Sequence, residues 1–182
     1  MQLECNIMSA LVPGSFPVLL GGIVPFDGGL LTNGGFEDGL TGWDPLYFGG
    51  GLTGITTGTG STAAADGPVM KWGPNYDSSR GVQQIVTIVA DTDVTVAVKA
   101  FKTSGAAGQG IVVRAFTGSS AAPTTFTEHA LTGMNQAGSG VLHDLSATFT
   151  PTAGHTICRV VFYTRSVGDI DMEVDNCRLT QS

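Results

Sequence analysis

GVQQIVTIVADTDVTVAVKAF (81–101) is the stretch on which the fold turns. Val, Ile and Thr dominate it, and β-branched side chains suit a pleated strand better than a helix. In DVTVAVKAF (93–101), Val94, Val96, Val98 and Ala100 share one parity, while Thr95, Ala97, Lys99 and Phe101 share the other. That is the period-two pattern of a strand with one buried face. Asp91-Thr92 marks the turn between the two runs.

Similar runs follow towards the C-terminus. GIVVRAF (110–116), TTFTEHAL (124–131), VLHDLSATFT (141–150), HTICRVVFYT (155–164) and DIDMEVDNCRL (169–179) all read as strands, separated by Gly, Ser, Ala, Pro and Asn stretches. No run carries a helical period of useful length. Short strands at regular spacing with glycine turns predict an all-β sandwich or barrel. The last run holds a further signal. Ile170, Met172 and Val174 share one parity, whereas Cys177 and Leu179 share the other. Side chains alternate strictly in a regular strand, so an apolar face changes parity only where a residue is inserted. A β-bulge near Asp175-Asn176 is therefore expected, and a bulge re-aims a side chain, here the Asp175 carboxylate.

Composition narrows the function classes. The 182 residues are 42% hydrophobic and only 13% charged, with 27 glycines, 8 Lys+Arg and a net charge of −7. Glycine is about twice its usual ~7% share, and charge about half its usual ~25%. Nucleic acid and anionic membrane surfaces both select clustered positive charge, which this balance does not supply. Of the cysteines, Cys158 and Cys177 read as small apolar strand residues, although a bridge between them is compatible with their spacing. The redox compartment stays open.

Residues 1–31 differ from the rest. MQLECNIMSALVPGSFPVLLGGIVPFDGGLL has no Lys or Arg, and only Glu4 and Asp27 are charged. It lacks the positive start and unbroken apolar core of a secretory signal. Pro13, Pro17 and Pro25 interrupt every candidate membrane helix, so no insertion is expected. The segment is too apolar for a disordered tail and too extended to cover itself. It is read as an extended arm that anchors residues 32–182 to a neighbouring subunit or larger assembly. Folding back on its own domain is the competing reading.

LTNGGFEDGLTGWDP (31–45) resembles the opening motif of carbohydrate-binding modules of the family 4/9/16/22 type. Asn33, Phe36, Glu37, Gly39 and Trp43 stand at the matching places. Residues 81–101 resemble the family's glutamine-bearing strand and its partner, HDLSATFTPTAGHTICRVVFYT its penultimate pair, and MEVDNCRL its closing strand. The resemblance covers 31–180 and implies a galactose-binding-like jelly-roll β-sandwich. It also implies a structural Ca²⁺ held by Glu37 and Asp175 with backbone carbonyls, which agrees with the bulge at Asp175. Asn33 is read as a turn cap and Trp43 as core.

Sugar sites in this class rest on an exposed ring flanked by polar groups. Trp72, in the presumed loop MKWGPNYDSSRG (70–81), with Tyr76, Asp77 and Arg80 nearby, is the first candidate. Capping the core or meeting a neighbouring subunit is the other reading of Trp72. Tyr47 and Phe48 are a weaker candidate. Gln83 and Gln84 offer amides, one of which should face the core. No catalytic signature is present: His129, His143 and His155 have no ligand-like spacing, and neither a G-x-S-x-G elbow nor H-E-x-x-H occurs. The expectation is a non-catalytic carbohydrate-binding-type module on a phage virion, as a decoration or tail-associated protein. It would be oligomeric, held to other subunits through residues 1–31, and in contact with cell-surface polysaccharide. A purely structural assembly protein and a stand-alone secreted module are the alternatives.

Overall fold

A computed structural model describes residues 27–45, 55–61, 67–72, 81–102, 110–119, 126–129, 131, 140–165 and 172–182. Among these residues the chain forms β1 (Asp44–Pro45), β2 (Ile55–Thr59), β3 (Pro68–Trp72), β4 (Gly81–Thr87) and β5 (Val94–Lys102). It continues with β6 (Gly110–Gly118), β7 (Thr127–His129), β8 (Leu142–Phe149), β9 (Ile157–Arg165) and β10 (Met172–Gln181). They pair antiparallel into two five-stranded sheets, ordered β1-β4-β9-β6-β7 and β2-β3-β10-β5-β8. This is an all-β sandwich, as the strand spacing led one to expect, in the jelly-roll form that the family resemblance implied. The period-two pattern of β5 is obeyed residue by residue, with Val94, Val96, Val98 and Ala100 buried and Thr95, Ala97, Lys99 and Phe101 only partly so. The turn after β4 passes through Asp91, whose φ of 56° is the left-handed conformation that Asp tolerates better than most residues.

The core lies between the sheets. Trp43 meets Phe162 edge-on at 5.5 Å and Phe36 at 5.5 Å, and its indole Nε1 donates to the Asn33 carbonyl at 3.1 Å. Trp43 is thus core, as its place in the opening motif implied. Asn33 caps the turn: its Nδ2 donates to the carbonyls of Gly39 and Thr41, and its Oδ1 accepts from the Asp38 N–H. Cys158 and Cys177 are buried free thiols and form no bridge. Burial pushes the Cys158 thiol up to about 12 and raises that of Cys177 well above its ordinary value, with Asp175 adding to the latter.

The bulge read from the sequence is present. β10 pairs with β5 in one register up to Asp175 and in a shifted register from Arg178. Asn176 takes a φ of 51°, and its N–H donates to Asp175 Oδ1 at 2.7 Å. Residues 28–34 run along this strand. Leu30 N–H donates to the Leu179 carbonyl, Leu179 N–H to Gly28, and Cys177 N–H to Gly34. Leu31 is buried in the core. The last residues of the segment read as an arm are therefore held by the sandwich; residues 1–26, Cys5 among them, lie outside the described residues.

Candidate functional site

The residues singled out in sequence divide as follows. Trp72 does not stand in a loop: it is the last residue of β3, with Ile55 and Met172 as register partners. Met70, Lys71 and Trp72 pair on both sides as a strand, with β2 and with β10; residues 73–80 lie outside the described residues. Tyr76, Asp77 and Arg80 lie outside the described residues, as do Tyr47 and Phe48. Glu37 is exposed in the opening turn, and its carboxylate lies so close to Gly67 that a Cβ there would collide with it. Asp175 is buried at the bulge. β3 pairs with β10 as far as Met70 and Val174, so Gly67, against which Glu37 lies, immediately precedes the strand that runs up to the neighbour of Asp175. No group of three or more His, Cys, Asp or Glu that could hold a metal ion occurs among the described residues. A cation there would draw its remaining oxygens from backbone carbonyls.

The richer surface is the outer face of the β1-β4-β9-β6-β7 sheet. On β9, Cys158, Val160 and Phe162 belong to the core, so Arg159, Val161 and Tyr163 point away from it. The registers turn this alternation into rungs across the sheet. Gly81, Tyr163 and Val112 form one rung, and Asp44, Gln83, Val161 and Arg114 the next. Ile85, Arg159, Phe116 and Glu128 form the third. A side chain on Gly81 would collide with the Phe162 carbonyl and with Tyr163 Cβ, so only glycine allows β4 and β9 this close approach. This face is not a plain solvated one: Val161 is 2% exposed although it points away from the core.

Polar groups are set among the rings. The Arg159 guanidinium lies 4.7 Å from the Phe116 ring centre and 4.3 Å from that of Phe126. The Arg114 guanidinium lies 5.4 Å from the Tyr163 ring centre, and its Nε is 3.2 Å from Glu128 Oε1. On this face two buried polar atoms have no hydrogen-bond partner among the described residues, Gln83 Oε1 and Arg159 Nε. One is an acceptor and the other a donor, on diagonal positions of neighbouring strands, where long side chains reach one another. Burial without a partner costs about 1–3 kcal/mol per group, which a bound hydroxyl recovers. The two glutamines split as expected: Gln84 is buried, bonding Thr32 N–H at 2.8 Å and its carbonyl at 2.9 Å, while Gln83 serves the outer face.

Arg114, Arg159, Phe116 and Tyr163 were not singled out in the sequence. Their signal was there: in HTICRVVFYT the parity opposite the core carries Arg159, Val161 and Tyr163, which is neither a polar face nor a plain apolar one. A second concavity of about 270 Å³ sits beside the bulge on the other sheet, lined by Ala97, Lys99, Asp144, Ser146, Asn176 and Arg178 among others.

No family model matches the chain, and no curated protein matches it. Solved structures do. A family 16 carbohydrate-binding module aligns with a TM-score of 0.62 at 19% identity, covering 83% of this chain and 99% of that one. A family 61 module, TmCBM61, solved in complex with β-1,4-galactotriose, aligns at 0.56 and 14% identity, covering 85% and 99%. The enzymatically active domain of tailspike protein 4 of bacteriophage CBA120 aligns at 0.58 and 11% identity, covering 85% of this chain and 22% of that one. The chain has the jelly-roll fold of carbohydrate-binding modules, as the opening motif and closing strand implied.

Proposed function

We propose that this protein is a non-catalytic module that binds a saccharide on the outer face of the β1-β4-β9-β6-β7 sheet. The carrying observation is the pairing of an unfilled acceptor, Gln83 Oε1, with an unfilled donor, Arg159 Nε, beside the Tyr163 ring. A sugar hydroxyl is donor and acceptor at once, so hydroxyls admitted between these side chains would supply what each atom lacks. The C–H face of a pyranose matches an aromatic ring, and Tyr163 stands on the rung next to Gln83. Comparable modules in which the fold holds an oligosaccharide support the reading.

The wider setting belongs to the same proposal. Display on a virion, in contact with host-surface polysaccharide, is supported by a phage tailspike domain of this fold and by the apolar stretch 1–26, in which only Glu4 is charged. In that setting residues 1–26 would dock on neighbouring subunits. A structural Ca²⁺ between Glu37 and Asp175 is supported by Glu37 lying against Gly67, just before the strand that pairs with β10 up to Val174. Trp72 at the end of β3, with Tyr76, Asp77 and Arg80, stays as a second candidate ligand surface.

A glycan array with the full chain tests the site. Saturable binding is expected, reduced at least about tenfold in Tyr163→Ala and Gln83→Ala, since each removes a contact worth roughly 1–3 kcal/mol. Binding kept by both variants but lost in Trp72→Ala would move the site to the other candidate surface. Binding to no glycan would leave a purely structural jelly roll.

A further inference from the structure

Arg159 is charged, half-buried and flanked by apolar neighbours. Its rung partners are Ile85 and Phe116, and its guanidinium stacks on Phe116 and Phe126. The described carboxylates on this face are Asp44, on the Gln83 rung, and Glu128, which pairs with Arg114 at 3.2 Å. Among the described residues no carboxylate forms an ion pair with Arg159. Burial lowers the pKa of this guanidinium from its ordinary value, the direction of a partly desolvated cation. A desolvated cation without a counter-charge is costly to keep, and a protein with 15 Asp+Glu has no shortage of acids to neutralise it. The Phe rings hold the guanidinium plane flat, and a planar fork of N–H donors matches an oxyanion bidentately.

We propose that the outer-face site selects saccharides carrying an anionic substituent, with Arg159 as the group that receives it. The inference rests on the saccharide-binding reading of the same face and narrows it. A carboxylate at C6 of a uronic acid and a sulfate ester present the same chemistry to the guanidinium. The net charge of −7 sets a limit, because it repels a densely charged polymer. The site therefore suits a chain of mainly neutral sugars bearing isolated acidic residues. Gln83 and Tyr163 engage the neutral part, and Arg159 reads the charge.

The test is an array of matched oligosaccharides probed with the full chain: galactan fragments against the same fragments carrying one galacturonic acid, glucan fragments against ones carrying one glucuronic acid, and a galactan fragment carrying one sulfate. At least one acidic member is expected to bind about tenfold or more above its neutral counterpart, the scale of a charge-assisted hydrogen bond. The preferred member distinguishes carboxylate from sulfate. Arg159→Met, which keeps an apolar stem against the rings but removes the Nε donor, should weaken binding of every member and erase the difference between acidic and neutral ones. Arg159→Lys keeps the charge without the fork and should retain part of it. Equal binding of neutral and acidic members by the unaltered chain overturns the proposal and leaves the saccharide-binding reading intact. No binding by any member overturns both. A preference that survives in a folded Arg159→Met variant removes Arg159 as the reader.

Discussion

One hydroxyl serves two imidazoles at the rim of the sandwich. Thr117 Oγ1 lies 2.7 Å from His129 Nε2 and 2.7 Å from His155 Nδ1. With both rings neutral, the hydroxyl donates to one ring and accepts from the other. His129 also stacks on Phe149 at 4.5 Å, which joins edge strand β7 to β8 of the opposite sheet. Burial, and then the neighbouring His155, lower the pKa of His129 from its ordinary 6.5. A lowered histidine binds fewer protons folded than unfolded, so stability is complete above the unfolded value and falls as pH drops through it. The unfolding midpoint is expected to fall between pH 7.5 and 5, with a shallower fall in His129→Gln. Parallel slopes in thermal melts of the two proteins would exclude this pair as the source. Glu128 points to the other face, paired with Arg114, and leaves the argument unchanged. Residues of this kind were half legible. The sequence shows that one of Gln83 and Gln84 must face the core, but cannot show that His129 and His155, 26 positions apart in sequence, share a hydroxyl.

Strands reveal themselves in sequence when they alternate, and lose that signal when they are short or rich in Gly and Thr. β4 to β6 and β8 to β10 are legible for the first reason. β2 (ITTGT) and β3 (PVMKW) escape for the second, and with β3 went the placement of Trp72. The bulge in β10 was legible because its parity change is a contradiction that only an inserted residue resolves. It rests on Asn176 at a φ of 51°. Asn accepts this conformation, Gly accepts it more readily, and a β-branched side chain is strained in it. Asn176→Val is expected to lose about 1–2 kcal/mol in chemical denaturation, with Asn176→Gly staying within about 0.5 kcal/mol of the parent. Equal losses in both would mean that the Asn side chain, and not the backbone conformation, holds the bulge.

At the scale of the molecule, the first and last described segments close on each other. Residues 28–34 bond along β10, where Asp175 is buried, and Glu37 reaches Gly67 just before β3. In the proposed calcium site the two carboxylates face one cation, which offsets the Coulomb repulsion between them. Bound Ca²⁺ would act on the whole fold through mass action, because the unfolded chain cannot bring the two segments together. At a concentration 100 times its dissociation constant it adds about 2.7 kcal/mol. For a domain of this size each kcal/mol moves the midpoint by roughly 2–4 °C. Millimolar Ca²⁺ is therefore expected to raise the melting temperature by about 5–11 °C over a chelator control. Glu37→Gln and Asp175→Asn should abolish the increment. Each variant should also melt closer to the chelated parent than to the calcium-loaded one, because removing a carboxylate relieves the repulsion the ion would otherwise neutralise. Identical melts of the parent in Ca²⁺ and in chelator would show that hydrogen bonds along β10 close the fold without an ion, and the calcium reading would fall while the sandwich and its outer-face site stand.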